Sequence, residues 1–258
     1  MRRAFVGCIA VLGFAAAMLP AAASAAPEVT IKASIVPIKG FPGTGNKLGA
    51  GAAVASQVTI SGTEYGGFPP PLIGVNVYLP KGTVLHPSGF PTCPPTTLEP
   101  SGMGPKGCPK GSAAGPVGTA TGVVAFGSSI VPETTTIESF YAPGGGLEFF
   151  TFGHEPVLLE ILSKAHFVAA TGLYSKELIA EVPLVETVPG AQDASVKTIT
   201  VTVGSAIRKN GKTIYYGRVP KKCPKGGFPG KAELIFAGLG GLTQTTVTKT
   251  LKVPCPKS

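Results

Sequence analysis

The chain has no tryptophan, one aspartate and three histidines, and only 14% of its 258 residues are charged. Each shortage removes a class of function. Without tryptophan, a carbohydrate module built on exposed aromatic platforms has little support. Asp193 alone cannot supply the closely spaced carboxylates of a calcium loop. The metalloprotease motif His-Glu-x-x-His is absent, because Glu155 is followed by Pro156-Val157-Leu158. No Gly-x-Ser-x-Gly elbow occurs. Gly144-Gly145-Gly146 runs into the strand-like Leu147-Glu148-Phe149-Phe150, so no helix N-terminus follows to receive a phosphate. No cofactor and no metal is therefore expected. Long apolar runs are missing too, apart from the first 25 residues.

Those first residues read as an export signal. Arg2 and Arg3 precede an apolar run from Ala4 to Leu19, then Pro20 and the small-x-small site Ala23-Ser24-Ala25. Cleavage after Ala25 leaves a mature chain of 233 residues, 26–258. It keeps 20 basic and 13 acidic side chains, a net charge of +7. No membrane span is expected after cleavage, and the product should be secreted or extracellular.

Four cysteines then remain, an even count in an exported chain, which reads as disulfides. Each precedes proline, as in Cys93-Pro94 and Cys223-Pro224, and so belongs to a loop or a strand end. Nearest-neighbour pairing, Cys93–Cys108 and Cys223–Cys255, is the expectation. Their separations of 15, 115 and 32 residues match no zinc ribbon. The first bridge would clip the segment 80–116, where 9 Pro and 7 Gly in 37 residues leave little room for strands. The second would tie the start of the last hairpin to the end of its return strand.

The body alternates with period 2. Thr198-Ile199-Thr200-Val201-Thr202-Val203 puts three threonines on one face and three apolar residues on the other, as suits a half-buried strand. Twelve such runs lie near 28–36, 51–61, 72–79, 117–126, 134–142, 147–152, 157–168, 178–187, 196–208, 212–219, 231–237 and 244–253. The run at 157–168 also fits a short helix starting at Pro156. Asn210-Gly211 predicts a two-residue type I′ hairpin. That sets Lys209 opposite Lys212, Ile207 opposite Ile214 and Ala206 opposite Tyr215. Gly204 then faces Gly217, and a bend or bulge is expected there. Short strands with Gly/Pro turns imply an all-β, antiparallel β-sandwich of jelly-roll or Ig-like layering. It is read as one domain over 26–258, with 80–116 as a loop insertion. Phe149, Phe150 and Phe152 read as core.

Two groups of residues carry candidate chemistry. His154, Glu155 and His166 could form an acid–base site, the basis of an alternative reading as a secreted hydrolase. Lys221-Lys222-Cys223-Pro224-Lys225, with the net positive charge, points instead to an anionic cell-surface polymer or a protein partner. Nucleic acid is not expected, since the lysines have no interleaved aromatics. The leading reading is a secreted, non-enzymatic protein with a surface, adhesive or ligand-binding role.

Three stretches carry a resemblance: Tyr78-Leu79-Pro80-Lys81-Gly82-Thr83, Glu138-Ser139-Phe140-Tyr141-Ala142-Pro143-Gly144-Gly145-Gly146, and Cys223-Pro224-Lys225-Gly226-Gly227-Phe228-Pro229. Over most of the mature chain it resembles a group of uncharacterised exported proteins of high-GC bacteria. The resemblance implies export and attaches no activity.

Overall fold

The computed structural model describes residues 26–256; the export signal read at 1–25 lies outside the described residues. The chain is all-β. Eleven strands form one antiparallel sheet: β1 (Glu28–Val36), β2 (Ala53–Ser61), β3 (Leu72–Pro80), β5 (Gly118–Phe126), β6 (Ser129–Tyr141), β7 (Leu147–Gly153), β8 (Leu159–Ala169), β9 (Tyr174–Glu181), β10 (Ser195–Val203), β14 (Phe228–Phe236) and β15 (Thr245–Val253). Their order across the sheet is β1-β2-β10-β5-β6-β7-β8-β9-β3-β14-β15. Two short ribbons accompany it, β11 (Ala206–Lys209) with β12 (Lys212–Tyr215), and β4 (Val84–Leu85) with β13 (Gly217–Arg218). One turn of helix, α1 (Pro95–Leu98), sits in the Pro/Gly-rich loop.

A sheet this wide, apolar on one face, has to curl to bury that face. Its ends β1 and β15 come against each other, so the sheet closes almost into a barrel. The expected layers therefore come from one rolled sheet facing itself. Val29 and Ile60 of the first two strands meet Leu72, Leu234 and Phe236 of β3 and β14 in the same interior, with Val196 and Ile199 of β10. Val75 joins this half to a second cluster of Tyr141, Leu147, Ala165 and Ala180.

At the upper end of the roll β1, β3, β6, β8, β10 and β15 finish and their neighbours begin. A plug of side chains from the loops closes it. Ile207 and Ile214 of the β11–β12 ribbon pack into the interior cluster beside Phe90 and Tyr216. The Tyr141 and Tyr216 rings stack at 4.1 Å, and Phe90 meets Tyr141 edge-on at 4.9 Å. Ser205 holds the Tyr141 hydroxyl at 2.8 Å, and the Tyr216 hydroxyl donates to the Gly145 carbonyl. Burial raises both phenols, Tyr216 to about 12.

The hairpin register expected from Asn210-Gly211 is the one observed: Lys209↔Lys212, Ile207↔Ile214 and Ala206↔Tyr215, with positive φ at both turn residues. The bend expected at Gly204 is also present. There φ is +132°, the strand leaves the sheet, and Gly217 pairs with Leu85 instead of Gly204. The run at 157–168 is strand, paired on both sides as β8. The run placed at 178–187 lies earlier, at Tyr174–Glu181, because the polar Ser175-Lys176-Glu177 pairs with the end of β3 while Pro183 cannot donate to a ladder.

Both disulfides are nearest-neighbour pairs, Cys93–Cys108 and Cys223–Cys255. The second closes the open end of the β14–β15 hairpin, whose last pair is Phe228↔Val253. The first holds the 80–116 loop against the outer face of β6–β8, where Cys93 and Leu98 bury Phe140 and Phe150. Phe149 packs inside the roll, while Phe150 and Phe152 pack outside under the loop. The three phenylalanines thus serve two cores.

Two outcomes follow from this architecture. Cys223→Ala with Cys255→Ala releases a loop of 32 residues and should lower stability by about 3–4 kcal/mol, read as a melting temperature about 10 °C lower; an unchanged midpoint would contradict it. A Cβ at position 204 would lie 2.6 Å from the Ala53 backbone at a φ that L-residues avoid. Gly204→Ala should therefore cost on the order of 2–3 kcal/mol in denaturant unfolding, while Gly211→Asn, at an open turn position, should cost far less.

Candidate functional site

The three histidines do not assemble. His86, His154 and His166 are all exposed. His154 and Glu155 lie in the turn between β7 and β8, their side chains 3.9 Å apart and 73% and 89% exposed. His166 is near the other end of β8, seven residues beyond Leu159, a run of roughly 23 Å along a strand. The triad His154, Glu155, His166 read from the sequence is thus split between the two ends of the roll. Among the described residues, no three His, Cys, Asp or Glu side chains converge as a metal site.

One carboxyl outside the roll has unusual chemistry. Glu148 of β7 is cross-strand from Lys164 of β8, beneath the clipped loop, and is only 3% exposed. Its Oε2 has no hydrogen-bond partner, while Lys164 Nζ donates at 3.0 Å to Glu99 at the end of α1. Burial pushes the Glu148 carboxyl up from 4.5 to about 7; Lys164 opposes the rise and Glu99 adds to it. The group is almost wholly buried, and a raised carboxyl of this kind ties its charge state to folding.

A cleft at the upper end has a different character. It is about 530 Å3 and opens beside the β11–β12 ribbon, between the loop 37–51 and the segment 215–221. Thr44 builds the loop side: buried, it accepts from the Ile38 N–H at 2.8 Å and donates to the Phe41 carbonyl at 2.7 Å. The segment 50–52 pairs with 217–219, Ala52 N–H to the Gly217 carbonyl and Val219 N–H to the Ala50 carbonyl. Gly51 is required, since a Cβ there would fall 2.1 Å from the Tyr215 ring. The flat ring lies on bare backbone, and the Arg218 guanidinium covers it 4.9 Å from its centroid. Arg218 Nη1 also donates to the Gly49 carbonyl at 3.3 Å.

Three cations line this cleft, Lys47, Arg218 and Lys221, and no carboxylate does. None of the three is in an ion pair among the described residues. Lys222 and Lys225 follow on the same exposed strap beside the Cys223–Cys255 bridge. The adjoining ribbon adds Arg208, set over the Phe41 ring at 5.9 Å, with Lys209 and Lys212 at its tip. The arrangement concentrates positive charge in a concave surface of ligand size. An arginine fork with two flexible ammonium groups is suited to phosphate, sulfate or carboxylate.

Lys221 was legible in the basic run, but Lys47 and Arg218 were not. A signal was present: residues 194–232 contain nine basic side chains and no carboxylate, and 29–63 contain no carboxylate either. These two acid-free stretches supply both walls of the cleft. Carboxylates gather at the lower end instead, where Glu28, Glu64, Glu155, Glu186 and Asp193 lie at or beyond strand ends.

The Glu148 geometry predicts a pH dependence. The folded protein holds that proton more tightly than the unfolded chain, so the stabilisation is complete below about pH 4.5 and lost as pH rises through about 7. Stability should fall on the order of 2 kcal/mol over that window, and Glu148→Gln should flatten the slope. Chemical denaturation at pH 4.5 and 7.5 measures it; an identical slope in the variant would refute the assignment.

The chain matches no protein-family model, no curated protein and no solved structure.

Proposed function

We propose that the protein is an exported, non-enzymatic binding protein that attaches to anionic polymers of a cell surface through its basic cleft. The observation that carries this reading is the cleft of Lys47, Arg218 and Lys221, concave, about 530 Å3 in volume and without a carboxylate in its lining. Opposite polarity at the two ends orients the molecule, basic end toward a negatively charged surface and acidic end away from it. The two disulfides support an oxidising destination outside the cytoplasm. No helix among the described residues is long and apolar enough to cross a membrane. Attachment through charge would supply retention at a surface. The resemblance to exported proteins of high-GC bacteria agrees with this placement.

The alternative, a hydrolase using His154 or His166 with a nearby glutamate, has less support: His154 and Glu155 lie together in an open, exposed turn, and His166 is exposed near the far end of β8. The binding reading needs no movement of the chain.

Passage over dextran sulfate beads, with neutral dextran as control, tests it. The disulfide-intact protein should be retained on the charged beads at about 50 mM salt and released well before 1 M, since screening weakens exposed charge pairs. Lys47→Glu with Lys221→Glu, two exposed positions, should abolish retention while leaving the circular dichroism and melting temperature unchanged. Retention equal to that of the unaltered protein, or equal binding to neutral dextran, would overturn the reading.

A further inference from the structure

The lower end of the roll holds a second site of opposite chemistry. Between β5–β8 and the segment 182–185 that crosses the end of the roll lies a cavity of about 100 Å3, its walls mostly apolar, with Leu72, Val124, Leu159 and Ile161 among them. Glu133 of β6 lines it and is only 3% exposed. Its Oε2 accepts from the Val157 N–H at 3.3 Å, but Oε1 is buried with no hydrogen-bond partner. The space for this carboxyl is made by glycines. Gly122 stands directly across from Glu133 on β5, and a Cβ on Gly153 of β7 would lie 2.8 Å from Oε1.

The other polar side chains of the lining are all hydroxyls, Thr121, Thr135, Thr151 and Ser195, and none donates to that oxygen. Thr135 donates to the Ala120 carbonyl at 3.4 Å and Ser195 to the Pro69 carbonyl at 2.7 Å, so those two hydroxyl protons are already engaged. No lysine, arginine or histidine lines the wall. A buried acceptor left in an apolar hollow is costly unless something brings a donor to it. In the chain Glu186 directly follows the crossing segment and Asp193 directly precedes the lining residues Ala194 and Ser195, and Asp193 is pushed up by burial and by Glu186.

We infer that this cavity is a binding site for a short alkylammonium group, its N–H donated to Glu133 Oε1 and its methylene chain against the apolar wall. The size suits about four or five non-hydrogen atoms, given that an apolar cavity of about 150 Å3 takes benzene. Such a group is found on a free alkylamine or at the end of a lysine side chain. The site stands apart from the basic cleft at the upper end and does not depend on the function proposed there.

The test is an amide-shift titration of the 15N-labelled, disulfide-intact protein with three probes: n-butylammonium, n-butanol and Nα-acetyl-lysine N-methylamide. Butylammonium should shift the Val157 and Leu159 amides with a dissociation constant of about 1 mM or below, and butanol, of equal size and no charge, should bind at least tenfold more weakly. The lysine derivative shifting the same amides assigns the source to a side chain; its failure beside butylammonium binding assigns it to a free amine. Glu133→Gln should weaken butylammonium at least tenfold. The comparison of amine and alcohol on the unaltered protein reads the same property should that variant fold poorly. Equal affinity for amine and alcohol, or no shift at those amides with butylammonium at about 50 mM, would overturn the inference.

Discussion

Everything in this molecule depends on one sheet having to bury its own inner face. Eleven antiparallel strands present an apolar inner face, and the two other sheets among the described residues are two-stranded ribbons too small to cover it. The solution is curvature, which brings Val29 and Ile60 at one edge against Leu234 and Phe236 near the other. Each such side chain contributes roughly 1.5–3 kcal/mol when removed from water. Glycines admit the close approaches, as at Gly115, where a Cβ would meet the Thr202 carbonyl.

A rolled sheet has two ends, and the sequence treats them differently. At the upper end the chain leaves the sheet at Gly204, makes the β11–β12 ribbon, and inserts Ile207, Ile214 and Tyr216 as a plug. The plug's outer flank becomes the wall of the basic cleft. Both disulfides sit on loops at this end, one pinning the β14–β15 hairpin and one pinning the 80–116 loop. The strap that carries Lys221, Lys222 and Lys225 is thereby covalently tethered at Cys223. At the lower end the segment 182–185 crosses the opening without filling it, and the hollow that remains carries Glu133. Charge of opposite sign at opposite ends is a consequence of which loops close which opening.

Local features of the fold were legible because they obey local rules. Alternation marked the strands, Asn210-Gly211 set a register, and cysteine spacing set the pairing. Boundaries slipped where local signals compete with partners: β9 starts at Tyr174 because β3 and β8 offer it ladders on both sides. Phe149, Phe150 and Phe152 read as core and are, but the sequence did not show that Phe150 and Phe152 belong to a second cluster, whose apolar cover comes from the folded position of Leu98 and Cys93. The candidate site was the least legible part. Lys221 belongs to a visible basic run, but Lys47 and Arg218 join it only after 49–52 pairs with 217–219. Glu133 lies in an unremarkable Pro132-Glu133-Thr134 stretch, and its significance comes from the two glycines beside it in space.

Hydrogen exchange on the protein bound to a sulfated polymer tests the account most directly, since it reports which end makes contact. Protection should grow in the loop 37–51 and in the segment 206–225, with residues 154–158 and 182–194 unaffected. Protection confined to the acidic end, or spread evenly over the roll, would contradict it.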